Sequence, residues 1–338
     1  MPIAKLPGKR ELLARTLRSC GIQRLLTSLG SWHGLLVFNY HRIGSPDNSL
    51  FDHDLWSATA DEFDQQVRFL ANHFQVITPR DLSRWNQMGT NRAVMITFDD
   101  GYRDNFEVAF PILQTYGVPA TFFVSTGFID RPHAAWWDEI SWMVRTAAQA
   151  GKPSMTLQGE SISLTDAPIN SVIRRCLNLY KSLPTTRAQE LLDELAATCG
   201  TGRCPSEWAE AEWMTWEMVR QLHDSGMEIG GHTVTHPVLS TMDVAAQEIE
   251  LRDGKARLES ILETPVTSFS YPVGQPDSFT EITKAILADC GYHCAFSYYG
   301  GFSRSPEVDP FDLPRVAVEL DVTQDMFRAM ATLPQVFA

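Results

Sequence analysis

The stretch Ala93-Val-Met-Ile-Thr-Phe-Asp-Asp-Gly101 decides the fold. Its first six residues are apolar or β-branched with no polar face, which reads as a strand buried on both sides, the pattern of a parallel sheet covered by helices. Asp99 and Asp100 then stand at its C-terminal end, and Gly101 permits a close turn into a helical pattern running from Tyr102 toward Pro111. In α/β sheets and barrels that end of a strand carries the chemistry. Two neighbouring carboxylates raise each other's proton affinity, a cost that a cation would relieve. Successive side chains on a strand diverge, so one aspartate can bind an ion while the other faces the adjacent water. The plainer reading is that Asp-Asp-Gly merely caps the next helix.

His232-Thr-Val-Thr-His236 answers the pair far downstream. An i, i+4 His pair lies on one face of a helical turn, close enough to share an ion, and neutral imidazole is a common zinc ligand. Met227-Glu-Ile-Gly-Gly231 reads as a short buried strand with a glycine exit, and Pro237 follows directly, which puts the pair on a tight turn at a second strand end. A lone buried His is usually just a satisfied core residue, but a pair at this spacing between glycine and proline favours metal. Asp100, His232 and His236 would leave positions open for water and substrate.

These residues resemble a known family. Thr97-Phe-Asp-Asp-Gly-Tyr102 is similar to the first motif of the polysaccharide deacetylases, the carbohydrate esterases with the NodB homology domain, and His232 to His236 is similar to their second, H-[ST]-x-x-H. Phe269-Ser-Tyr-Pro-Val-Gly274 resembles the third motif of many exopolysaccharide-linked members, without the arginine of the R-x-P-Y form. Similarity continues through Pro119–Val124, Thr215–Gly226 and Cys290–Phe296, and covers most of residues 35 to 316 with gaps. The resemblance implies an α/β fold, a distorted and partly closed (β/α) barrel. It implies a divalent-metal hydrolase, most often with zinc, that removes an N-acetyl or related acyl group from an amino sugar or glycan, here in exopolysaccharide or envelope glycan biosynthesis.

Carried over by position, the resemblance gives Asp100, His232 and His236 as metal ligands, Asp99 as general base, and the Tyr271 N–H as an oxyanion donor. A metal-activated water needs only a modest base. The general acid departs from the pattern, because the family's late L-x-H has no counterpart in Leu313-Pro-Arg-Val-Ala-Val318. In members with circularly permuted motif order the acid comes from an early strand, and Leu35-Leu-Val-Phe-Asn-Tyr-His41 offers His41. The missing late His and the missing arginine leave an alternative: a metal- or sugar-binding relative that has lost catalysis. A non-haem iron oxygenase also uses two His and a carboxylate, but the adjacent aspartates fit it poorly.

At 338 residues with a net charge of −13, the chain can bury a large core and is a poor general binder of nucleic acid. Its first 30 residues are locally basic, with Lys5, Lys9, Arg10, Arg15, Arg18 and Arg24 set among Leu12, Leu13, Leu17, Ile22, Leu25 and Leu26. They read as an amphipathic helix broken near Gly21, ahead of a catalytic domain over residues 31–338. Packing on that domain is the bland reading of the segment; peripheral contact with an anionic membrane is the sharper one. No stretch reads as a signal peptide or a bilayer span, which makes a cytoplasmic location the expectation. The six cysteines show no dense framework and read as plain thiols.

Elsewhere strand and helix signals alternate: helix Asp61–Leu70, strand Phe74–Ile77, helix Phe106–Tyr116, strand Thr121–Val124, helix Ala245–Leu262 with a solvated charged face, and helix Lys284–Cys290. Between about residues 130 and 214 the alternation fails. A mainly helical insertion is expected there, with a hairpin over Met155–Leu164 and helices at Ile169–Leu183 and Arg187–Ala197. Its tryptophans should be mostly core. One of Trp136 and Trp137, the latter preferred, is expected to touch substrate, with Asp138 orienting a catalytic group.

Overall fold

The computed structural model describes residues 8–87, 92–305 and 308–338, so that Lys5 lies outside the described residues. Among them the strands are β1 (Gly34–Tyr40), β2 (Arg42–Ile43), β3 (Trp56–Ala58), β4 (Gln75–Val76), β5 (Arg92–Phe98), β6 (Thr121–Val124), β7 (Ser154–Leu157), β8 (Glu160–Ser163), β9 (Glu228–Gly231), β10 (Ser268–Ser270), β11 (Cys294–Phe296) and β12 (Val316–Ala317). Eight of them form one parallel sheet in the order β11-β10-β9-β6-β5-β1-β12, with β4 also paired to β5. The apolar run Ala93–Phe98 is therefore at its centre: β5 pairs with β1 along its whole length, with β4 at Ala93 and Val94, and with β6 at Thr97 and Phe98. The edges approach through one segment, in which Leu313 bridges to Phe296 of β11 and Val316 pairs with Phe38 of β1. This is the partly closed (β/α) barrel that the motifs implied.

Strand periodicity sorts the core. Leu35, Val37, Ala93, Met95, Phe123 and Phe296 share an inner cluster, while their alternates Leu36, Phe38, Val94, Ile96, Phe122 and Val124 join the larger cluster under the surrounding helices. Continuing the inner parity to the strand ends places Asn39, Thr97 and Asp99 over the barrel interior. Asp100 follows with φ +77, a left-handed conformation in which Asp is among the more tolerated residues. Neither aspartate caps a helix, because Arg103 and Asp104 lead into a π-turn at Asn105–Ala109 before helix Phe110–Tyr116.

The expected helices fall at Ala60–His73, Val244–Leu262 and Glu281–Asp289. The first begins in a Thr59/Glu62 capping box, and Thr280 caps the last. The helix over Val244–Leu262 is not solvated on all of its charged positions, since Glu250 is buried. The insertion folds as expected, with the β7–β8 hairpin and helices Trp136–Gln149, Ile169–Ser182 and Thr185–Cys199 around a second core. Trp136, Trp137, Trp142 and Trp213 are buried in that core, whereas Trp208 is exposed. All six cysteines are free. The N-terminal segment forms helices Lys9–Ser19 and Ile22–Leu29, broken at Gly21 with φ +73.

Phe98 is fully buried and stacks on Phe122 with centroids 4.9 Å apart, which ties β5 to β6 beneath the aspartates. Phe98→Ala should lower stability by about 3–5 kcal/mol in urea denaturation. A loss within the scatter of surface substitutions would mean that this layer does not set the strand pairing.

Candidate functional site

Asp100, His232 and His236 come together at the strand ends, with one ligating atom from each lying within 4.8 Å of the others, and all three residues buried. The Nε2 atoms of His232 and His236 each lie 3.3 Å from Asp100 Oδ1. Despite that convergence, among the described residues Asp100 Oδ1 has no hydrogen-bond partner of good geometry, and neither does His236 Nδ1. A buried, unpartnered carboxylate oxygen facing two imidazoles is the arrangement a divalent cation completes, so the donor set fits such an ion. His232 Nδ1 lies 2.7 Å from the Ser270 carbonyl, a contact that fixes Nδ1 as donor and leaves Nε2 free for coordination. Burial alone would raise the Asp100 pKa, but the two imidazoles outweigh it and hold the group well below the carboxylate range.

The His pair does not sit on a helical turn. Thr233 and His236 both take positive φ, +67 and +56, and the loop is fastened from outside. Buried Glu250 accepts from the N–H groups of Val234 and Thr235, both at 2.8 Å, and from the Thr235 hydroxyl at 2.6 Å. Gly127 donates its N–H to the Val234 carbonyl at 2.9 Å, and a Cβ there would lie 2.6 Å from that same oxygen. Gly254 lets the helix over Val244–Leu262 approach the Thr233 carbonyl group closely, where a Cβ would meet it at 3.1 Å.

Asp99 is held by Arg315, a residue that sequence reasoning passed over. The guanidinium donates to both carboxylate oxygens at 2.8 Å, and Asn39 Nδ2 and Ser270 Oγ add longer contacts to Oδ2 at 3.2 and 3.3 Å. Arg315 is fully buried and also donates to the Ser297 carbonyl, Asn39 Oδ1 and Ser270 Oγ. Burial raises the Asp99 pKa and Arg315 lowers it, the balance falling below the ordinary value. The arginine missing from the third motif is thus present in space: aligned on proline, R-x-P-Y puts Ser270 where the arginine would be, and the guanidinium reaches Ser270 from the closing segment. A single Arg within the otherwise apolar Leu313–Val318, and Asn39 within the apolar β1, were the available signals.

Tyr271 does not fill its expected role. Its N–H donates to the Phe296 carbonyl at 3.1 Å as part of the sheet, and its hydroxyl donates to the Phe311 carbonyl at 2.8 Å. The same alignment on proline puts Val273 at the motif's tyrosine. Val273 has φ +64, a strained conformation for a β-branched residue, lines the cleft, and its N–H has no partner among the described residues.

The cleft above these groups has a volume of about 290 Å³, and His41, Asp99, His232, His236, Trp137 and Tyr298 are among its lining residues. His41 directly follows β1, its ring packs edge-on to Tyr298, and its ring nitrogens have no partner among the described residues. Burial lowers its pKa, and Asp100 and Asp99 partly restore it. Trp137 packs edge-on against His236 with centroids 4.4 Å apart and donates from Nε1 to the Tyr102 hydroxyl at 2.7 Å; that hydroxyl donates to Asp138 Oδ2 at 2.6 Å. Asp138 thus lies behind the cleft wall, and through Tyr102 it fixes Trp137. Helix Ile169–Ser182 of the insertion, whose Tyr180 stacks on Trp136, adds Arg174, Leu177, Asn178 and Lys181 to the lining.

A parallel barrel with these groups at its strand ends defines the class of the carbohydrate deacetylases. Residues 86–295 match the polysaccharide deacetylase family. The Bacillus subtilis protein YxkH, named for polysaccharide deacetylation, is 22% identical over 299 residues, covering 87% of this chain and 75% of its own. The poly-beta-1,6-N-acetyl-D-glucosamine N-deacetylase of Staphylococcus aureus is 29% identical over 106 residues, covering 28% of this chain and 37% of its own. Among solved structures, Streptococcus pyogenes deacetylase PplD in complex with acetate superimposes with a TM-score of 0.58 at 20% identity over 90% of this chain and 98% of that one. IcaB from Ammonifex degensii gives 0.54 at 20% identity over 90% and 97%. At such identities the superpositions establish the fold. The chain belongs to the polysaccharide deacetylase family, whose members generally depend on a divalent metal. The matched span excludes the strand bearing His41 and the segment bearing Arg315.

Two pH effects follow. Burial pushes the Asp138 carboxyl up to about 7 from an ordinary 3.8, so the native state binds that proton more tightly than the unfolded chain. The stability it contributes is complete below about pH 4 and is lost as pH rises through about 7. Asp138→Asn should therefore flatten stability across that window in denaturation at pH 5 and pH 8, and parallel falls in the two proteins would contradict the assignment. Arg315 holds Asp99 down, so in Arg315→Met the Asp99 pKa rises and the acid limb of any Asp99-dependent rate moves to higher pH, with Arg315→Lys restoring part of the shift. An unmoved limb in a folded Arg315→Met protein would detach Arg315 from Asp99.

Proposed function

We propose that this chain hydrolyses the N-acetyl, or a closely related N-acyl, group of an amino sugar within a glycan, with a divalent ion, zinc foremost, held by Asp100, His232 and His236. The observation that carries this reading is the buried carboxylate oxygen of Asp100, unpartnered and facing two imidazoles, next to a second carboxylate held by an arginine. When bound, the ion would lower the pKa of its water to roughly 7 and polarise the acyl carbonyl. Asp99, kept anionic by Arg315, takes the proton of the attacking water. The Val273 N–H, which is uncommitted, takes the oxyanion place first given to Tyr271. His41, whose ring faces the cleft unpaired, gives a proton to the leaving amine.

Trp136 and Trp137 supply aromatic wall for a sugar ring, and the insertion helix supplies polar contacts from Arg174, Asn178 and Lys181. The name of the staphylococcal relative supports a glycan of N-acetylglucosamine as the first substrate to assay, in an exopolysaccharide or envelope setting. Intact Asp99, Asp100, His232 and His236, together with the arginine recovered in space, weigh against the reading in which catalysis has been lost.

Acetate release from N-acetylglucosamine oligomers should require added divalent metal and fall by about 10²–10⁴-fold in Asp99→Asn and in His41→Ala, both retaining metal on elemental analysis. The two losses differ on an acetate ester with a strongly acidic leaving group, which departs without a proton. There His41→Ala should recover most of its rate while Asp99→Asn does not. Equal deficits of His41→Ala on amide and ester would remove it as the acid, and undiminished release by Asp99→Asn would remove the mechanism.

A further inference from the structure

Helix Ile22–Leu29 is turned inside out. Its buried residues are the polar Gln23 and Thr27, while Ile22, Leu25 and Leu29 are 44%, 57% and 73% exposed. Leu12 and Leu13 on the preceding helix are exposed as well. Side chains on the polar side of Ile22–Leu29 help to line a cavity of about 390 Å³ that also takes residues from helices Ala60–His73 and Gln324–Thr332. Arg24, Arg68, Arg328 and His73 line it, and among the described residues no carboxylate does. None of the three arginines has an ion-pair partner among the described residues, and Gln23 Nε2 and Arg328 Nε are buried without any hydrogen-bond partner. Gln23 is only 6% exposed. In a chain of net charge −13, a cavity lined by cations and unused donors is built for an anion.

We propose that this face docks on an anionic phospholipid bilayer, with the leucines entering the interface and a lipid phosphate seated against Arg24, Arg68 and Arg328. An exposed apolar stripe flanked by arginines is the composition of an interfacial helix, and surface charge then supplies the attraction. A second copy of the chain is disfavoured as the occupant, because a two-fold contact would set this basic face against itself. Arg24 and Ser28 are the exposed cavity residues on the helix, and Ser28 borders its apolar arc at Leu25. This surface lies outside the cleft and does not depend on the reading of the active site.

The test is flotation of the full chain with vesicles of phosphatidylcholine alone and of phosphatidylcholine with one third phosphatidylglycerol. Binding should appear on the anionic vesicles only and weaken with added salt. Leu25→Glu/Leu29→Glu should abolish it without changing the circular dichroism or the deacetylation rate. Arg24→Gln and Arg68→Gln should each weaken it about fivefold, the value of roughly 1 kcal/mol per basic side chain. Absence of flotation, equal flotation on neutral vesicles, or unchanged binding in both arginine variants would overturn the proposal. So would a dimer, seen by sedimentation, that the leucine variant dissociates and vesicles do not compete with.

Discussion

Two adjacent carboxylates buried at the end of β5 impose the constraint on which the rest of the site depends. Neither can remain ionised away from water without its own compensating partner, and one partner cannot serve both because their side chains diverge. Asp99 obtains a guanidinium in two-point contact, and Asp100 faces two imidazoles with space for a cation. The barrel meets this demand by joining distant segments: Arg315 arrives on the stretch that links β11 to β1, and the histidines leave β9. A buried ion pair of this kind is weak evidence of stabilisation. Its consequence here is to hold Asp99, which faces the cleft, oriented and with its pKa below the ordinary value.

The same economy governs the histidine loop. Two left-handed residues, Thr233 and His236, are unfavourable in isolation, and the loop is held by Glu250 and by the close approaches at Gly127 and Gly254. Glu250 touches no ligating atom, yet it fixes the backbone that aims both imidazoles. Asp138 and Tyr102 do the same for Trp137, whose ring abuts His236. Asp99, the histidine loop and Trp137 are each backed by buried polar contacts, which is how a site keeps its geometry before anything binds.

The insertion and the N-terminal helices put the chain's remaining resources to different uses. The insertion buries its own tryptophan-rich core and presents Arg174, Asn178 and Lys181 to the cleft, so substrate contacts can vary there without disturbing the barrel. The N-terminal helices leave leucines outside and arginines around a cavity. No described helix is long and apolar enough to cross a membrane.

Much of this was legible in the sequence because it is local. The unbroken apolar run before Asp99 marks a doubly covered strand, the His spacing marks a shared ligand site, and the alternation of helix and strand patterns located the main helices to within a few positions. What needed the tertiary structure were the pairings across the chain. Arg315 meets Asp99 only because the barrel closes, the Tyr271 N–H is spent only because β11 lies beside it, and Glu250 is buried only because its helix packs on the histidine loop. The sequence by itself determined that strand ends would gather carboxylates and imidazoles, since pattern and motif are properties of short segments. Which charge offsets which, and which N–H remains free, depends on contacts between residues far apart in the chain, and only the fold decides those.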